Sequence, residues 1–254
     1  MNYYFSVIFL IITSLIFTSC SSDEDELIKH ATVKLNFTHN WDKTPIIADD
    51  LSRTKFTNKL GTKLTIDSLR YVISNVIFTD GAGDSSIFKT HYLVNLKDSK
   101  SLTAVLPEKI SEGIYKVSVT FGLNKEENST KNLKGLENFN VSEKLGKGYH
   151  FMKMDGTYLD STTVYTPFKY HTISPFNSTT NKIENTSFLV DLGVIPIKND
   201  ATIELKMNVA QWFKDPKNWD LNELDTDLTK NYDAQKRMFE NGKKGVFSLG
   251  SILQ

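Results

Sequence analysis

Cysteine is almost missing from this chain of 254 residues: there is one, Cys20. A single cysteine excludes a disulfide within the chain and zinc sites built from several thiolates. Charge of one sign is missing as well. The 30 basic residues balance 30 acidic ones, so the chain carries no net field. A nucleic-acid partner would call for a basic excess to neutralise phosphates, and none exists. The familiar catalytic signatures are absent too: no Walker A loop, no GxGxxG, no GxSxG and no HExxH. Acidic residues are plentiful but scattered. A pair such as Asp155 and Asp160 has no spacing that would join the two for acid–base work, and surface solvation is the reading for both. No nucleophile–base spacing is visible, so the chain reads as a non-enzyme. Long apolar runs are scarce. The run from Phe5 to Phe17 is short of the roughly 20 residues a membrane-spanning helix needs.

That run instead suits the core of a signal peptide. The small residues Thr18 and Ser19 follow it, and then Cys20. A lipoprotein peptidase needs small side chains beside the bond it cuts and a thiol to accept the acyl chain. Residues 1–19 are therefore expected to be a lipoprotein signal, with Cys20 lipidated. Acylation of Cys20 would leave the mature protein without a free thiol and exclude thiol catalysis. Residues 20–30 are expected to be the lipidated tether. Its acidic stretch, Asp23-Glu24-Asp25-Glu26, cannot bury itself and stays solvated. It resembles the acidic tag behind the lipid cysteine of surface-exposed lipoproteins in Bacteroidetes-type bacteria. The expected location is extracytoplasmic, on the cell envelope, at the outer membrane.

The remainder, residues 31–254, reads as one domain made of short strands. Ala31, Val33, Leu35 and Phe37 alternate with Thr32, Lys34 and Asn36, which puts one row on a core and the other in solvent. Further strands are expected at 63–66, 69–78, 91–96, 114–121, 149–158, 167–173, 187–192 and 201–209. Turn signals separate them, among them Asp80-Gly81-Ala82-Gly83-Asp84 and Lys198-Asn199-Asp200. The fold class that follows is all-β, an antiparallel β-sandwich with long loops at 123–147 and 174–186 and a short C-terminal helix. The helix is expected over 226–241, with Leu228, Tyr232, Gln235 and Phe239 near one face and Gly242 after its end.

Chemistry-bearing residues are few, and the five histidines are the most informative. Neutral imidazole binds copper and zinc well, and the ligands of one site are commonly distant in sequence. His39 and Trp41 are two apart, so a continuing strand sets both on one face with Phe37. His150, Met152 and Met154 share the same spacing. Imidazole with thioether suits Cu(I), whereas a core face that contains methionine needs no metal. His171 falls at a strand end, His91 opens a strand in a structural role, and His30 lies beside the tether. Trp212, Phe213 and Trp219 form an aromatic group that either seals a core edge or, if exposed, binds sugars.

The ordered set of segments resembles a known family. It runs Phe37-Thr38-His39-Asn40-Trp41-Asp42, Leu69-Arg70-Tyr71-Val72, His91-Tyr92-Leu93-Val94 and Val119-Thr120-Phe121-Gly122. Gly148-Tyr149-His150-Phe151-Met152-Lys153-Met154-Asp155-Gly156, Phe168-Lys169-Tyr170-His171 and Asn208-Val209-Ala210-Gln211-Trp212-Phe213 follow. This set is similar to the MbnP-like proteins, periplasmic proteins associated with methanobactin copper handling. The resemblance implies an extracytoplasmic β-rich protein that binds a copper ion, and a di-haem partner of the cytochrome c peroxidase type. It also implies two histidines and an oxidised tryptophan as ligands. On this chain the positions that match are His39 and His171, with Trp41 as the modified aromatic and His150 as the reserve ligand. The expected role is copper capture or storage. The alternative is a surface module that binds glycans or proteins through Trp212, Trp219 and the long loops.

Overall fold

The computed structural model describes residues 29–53 and 55–254. The expected signal peptide, Cys20 and the acidic tether lie outside the described residues. Nine long strands form the body: β1 (Val33–Trp41), β2 (Ser68–Thr79), β3 (Ser85–Asn95), β4 (Gly113–Phe121), β5 (Met152–Leu159), β6 (Tyr165–Thr172), β7 (Phe188–Ile197), β8 (Ala201–Asn208) and β9 (Phe247–Leu253). Two helices accompany them, α1 (Lys125–Ser129) and α2 (Tyr232–Lys243).

The strands form the two faces of a sandwich. The smaller sheet has the order β9–β8–β1, with the short strand Thr44–Ile46 beyond β1. The larger sheet branches at β2. One edge of β2 pairs with β3. The other edge is shared: its first half pairs with β5 and its second half with β4. β6 then extends from β5, and β7 from β4. The expected antiparallel sandwich is what is observed, with one exception. β8 runs parallel to β1, Ala201 opposite Val33 through Asn208 opposite Asn40.

Period-two alternation sets the faces. In β1 the residues Val33, Leu35, Phe37, His39 and Trp41 are buried while those between them are not. In β5 Met152 and Met154 are buried, paired with Tyr71 and Leu69, and Lys153 and Asp155 lie on the other face. The inner faces meet through rings: Phe247 lies against Tyr71, Phe121 and Phe188, and Phe37 meets Tyr71 edge-on. Each fully buried side chain of this size contributes roughly 1.5–3 kcal/mol. Gly156 shows how tight one spot is. A Cβ there would lie 2.1 Å from the Thr65 carbonyl oxygen and 2.6 Å from the Phe168 ring.

Two expectations change. The helix starts at Tyr232, where the Asn231 side chain accepts from the Ala234 amide, and Leu228 falls in a separate 3-10 turn. Gly242 is inside its last turn rather than beyond it, because the Trp212 ring packs where a side chain would go, 2.6 Å from a Cβ. The loop at 123–147 holds α1 and two 3-10 turns, and it folds over the outer face of β2. Ser74 on that face donates to the Gly122 carbonyl and Asn75 to Glu127. Val72 and Ser74 are buried beneath this cover.

Candidate metal centre

His39 sits on the inner face of the small sheet, 4% exposed. Its Nε2 shares a hydrogen bond of 3.1 Å with the Tyr71 hydroxyl. Burial lowers its pKa to about 4, so the ring is neutral at neutral pH. Trp41, on the same face, stacks on Phe56 at 4.9 Å and donates from Nε1 to the Thr57 carbonyl. The shared face of His39 and Trp41 is as alternation predicts.

His171 is elsewhere. In register it opposes Lys153, and Lys153 opposes Arg70. Arg70 precedes the inward Tyr71, so this row lies on the outer face of the large sheet. A sheet thickness therefore separates His39 from His171, and the structure does not bring these two together. It brings together His171 and His150 instead, with ring centroids 5.6 Å apart and planes at 88°. Met152 and Met154 turn the other way and are fully buried in the core. The spacing of two does not carry back to His150 because β5 begins only at Met152. His150 precedes the strand and is held by the loop: its amide donates to the Phe139 carbonyl at 2.7 Å.

Each ring of the pair has one nitrogen engaged. His150 Nδ1 lies 2.9 Å from the Phe139 carbonyl oxygen. A carbonyl only accepts, so Nδ1 carries the proton and Nε2 of the neutral ring keeps its lone pair. His171 Nε2 lies 2.8 Å from Asp155 Oδ1, which leaves Nδ1 as the lone-pair nitrogen of the neutral ring. A ring whose second nitrogen bonds a carbonyl or carboxylate is the arrangement that orients a metal-ligating imidazole. Burial pushes the Asp155 carboxyl up, but the His171 bond and charge, Ser68 and Arg70 outweigh it and hold the group below its usual value. His150 is lowered to about 4, chiefly by burial, with Lys153, His171 and Arg70 adding to it against the Phe139 bond. The His150 ring can therefore offer its lone pair at neutral pH.

Among the described residues no three His, Cys, Asp or Glu side chains form a metal-binding group. The pair is what the described residues offer. Imidazole nitrogen is a donor that suits copper and zinc among other ions. Lys153 and Arg70 flank the pair, and Phe139 covers it, fully buried. A cleft of about 880 Å³ lies along the same loop, lined by Asn128, Tyr149, Ser174 and Ile183 among others, and neither histidine lines it.

The remaining candidates are structural. His91 Nε2 bonds the Lys134 carbonyl at 2.9 Å. Asp160 accepts from Thr162, Val164 and Thr166 in its own turn. Trp212, Phe213 and Trp219 are fully buried, so they seal the core and offer no sugar platform. Sequence reasoning did not single out Asp155 or Phe139 as partners of the histidines. The register that pairs β5 with β6 sets Asp155 near His171, the turn at 137–139 brings Phe139 to His150, and no local signal encodes either.

No functionally curated protein matches the chain. Among solved structures, MbnP from Methylosinus trichosporium is similar at 10% identity and a TM-score of 0.44, over 73% of this chain and 78% of that one. The family model described as MbnP matches residues 30–233, most of the described fold and every histidine in the chain. This chain belongs to the MbnP family.

Proposed function

We propose that this chain is a membrane-tethered, extracytoplasmic copper-binding protein, a carrier or store and not an enzyme, with the ion held by His150 and His171. One observation carries the reading: two imidazole rings meet edge-on at 5.6 Å, each with one nitrogen bonded to a protein oxygen and the other left as a donor atom. Asp155 and the Phe139 carbonyl would hold the rings in place. The bound ion supplies nothing but its own cargo chemistry, and the chain supplies ligands, orientation and cover. Family membership supports the extracytoplasmic part of this reading. The lipid anchor at Cys20 and the outer-membrane location are further parts of the proposal, supported by the sequence pattern alone. No helix among the described residues is long and apolar enough to cross a membrane.

The di-haem partner also belongs to the proposal, as the oxidant for a tryptophan. Trp41 suits that role best on exposure, at 8% against 0% for Trp212 and Trp219. It lies on the inner face of the other sheet, so its oxidation would add no ligand to the histidine pair.

The test is a Cu(I) competition titration on the full chain in detergent, with intact mass recorded from hosts with and without the di-haem protein. One-to-one binding lost in His150→Ala and in His171→Ala, but kept in His39→Ala, is expected. Binding that survives both of the first two substitutions would move the ion elsewhere. No binding at all would end the copper reading. A mass increase that depends on the partner and disappears in Trp41→Phe is expected for the oxidation step.

A further inference from the structure

The outer face around His150 and His171 has an unusual charge for a cation site. Lys153 Nζ lies 5.1 Å and the Arg70 guanidinium 5.6 Å from the centre of the same ring, Phe139. The His150 ring meets that ring edge-on at 6.5 Å. One buried phenyl group thus gathers both cations beside the histidine. Neither cation has a carboxylate within ion-pair distance among the described residues. Lys153 Nζ instead donates to the Asn138 carbonyl at 2.7 Å. Arg70 Nε is buried with no hydrogen-bond partner. The one nearby carboxylate, Asp155, bonds His171 and Ser68. Its register neighbour on this face, Lys169, is exposed.

Two fixed positive charges against one negative make the surroundings of the pair positive. Coulomb repulsion between a fixed charge and a bound ion scales with the charge of that ion. A bound cation is the largest local charge in such a site, so this term decides between ions of similar ligand preference. We propose that Lys153 and Arg70, pinned over Phe139, make the His150–His171 site discriminate by ion charge, excluding Zn(II) and Cu(II) and admitting Cu(I). The inference rests on the copper reading and adds to it a positioning role for the two cations. Both cations lie close to the ligand itself, since the Phe139 ring that holds them meets the His150 ring at 6.5 Å.

The test uses the full chain in detergent, titrated with Cu(I) against a competing chelator and separately with Zn(II). The proteins are wild type, Lys153→Met, Lys153→Arg and Arg70→Met, each first checked for fold by circular dichroism and thermal melting. Removing one fixed charge should tighten Zn(II) by about tenfold and Cu(I) by only about threefold, because the logarithm of the change doubles with ion charge. Lys153→Arg should keep the wild-type ratio. Arg70→Met should act in the same direction as Lys153→Met and replaces it if that variant does not fold. Cu(I) binding with equal changes for the two ions, or with no change, overturns the charge inference and leaves the copper reading standing. Wild-type protein that binds no Cu(I) overturns the copper reading itself, and the inference falls with it.

Discussion

A buried neutral histidine makes stability depend on pH in a direction that can be worked out. His39 is 4% exposed and bonded to Tyr71. Its pKa falls from 6.5 to about 4 on folding. Between those values the unfolded chain takes up a proton that the folded one refuses, so the unfolded state gains as the pH drops. The contribution of the neutral ring is complete above about pH 6.5 and is lost as the pH falls towards 4. Its full size is about 3 kcal/mol by proton linkage. His150 follows the same direction, since its pKa is also lowered to about 4. Urea unfolding measured between pH 7 and pH 4 should show falling stability for the wild type. In His39→Gln, which keeps a hydrogen-bonding group beside Tyr71, the slope should be shallower by close to one proton. An unchanged slope would mean that His39 is protonated in both states. His39 was legible as a residue on the same face as Trp41, because alternation in β1 is regular. Its separation from His171 was not legible, since only the stacking of two sheets decides it.

Elements transmit order to the candidate site through a few polar contacts. The carbonyl of His171 itself accepts from Gln235 Nε2 at 2.8 Å. The same amide group donates to the Leu228 carbonyl, and Gln235 Oε1 accepts from the Ile173 amide at 2.8 Å. Gln235 is 1% exposed, so one side chain of α2 satisfies three backbone groups and clamps the end of β6. Gln235→Leu fills the space but strips those partners. Each buried group left unpaired costs roughly 1–3 kcal/mol. The expected loss is at least about 2 kcal/mol in urea unfolding, with Cu(I) affinity reduced because His171 is no longer held. A variant as stable as wild type would show that water replaces the glutamine. The strands themselves were largely legible: β1, β2, β4, β5, β6 and β8 coincide with the alternating stretches. β9 was not, since Phe247-Ser248-Leu249-Gly250-Ser251-Ile252-Leu253 is short and interrupted by glycine. The cover formed by 137–145 was invisible too, because its apolar residues Phe139, Val141 and Leu145 keep no sustained period among polar neighbours. Scattered apolar residues in a polar loop carry no period, and their burial depends on the sheet face they meet.

At the scale of the molecule, the first and last long strands of the described residues close the fold together. β1 pairs with β8, and Thr32 donates to Asp200 across 168 residues of sequence. β9 then pairs with the other edge of β8. Contacts this distant in sequence close large loops before they return any energy, so the small sheet is expected to form late and to depend on every strand. Phe247 is the hinge of that dependence. It meets Tyr71, Phe121 and Phe188, and so joins β9 to β2 and to the β4–β7 branch of the large sheet. Deleting residues 247–254 would remove that ring and leave β8 as an open edge, with its amides and carbonyls free to pair with other chains. The truncated chain should lose its cooperative urea transition and elute as aggregates on size exclusion. Phe247→Ala keeps the strand but not the ring and should cost about 3–5 kcal/mol while the protein stays monomeric. Cooperative unfolding of the truncated chain at the wild-type midpoint would show that β9 is an appendage. The histidine pair would then rest on the large sheet alone, since His150, His171, Asp155 and Arg70 all belong to it or to the loop that covers it.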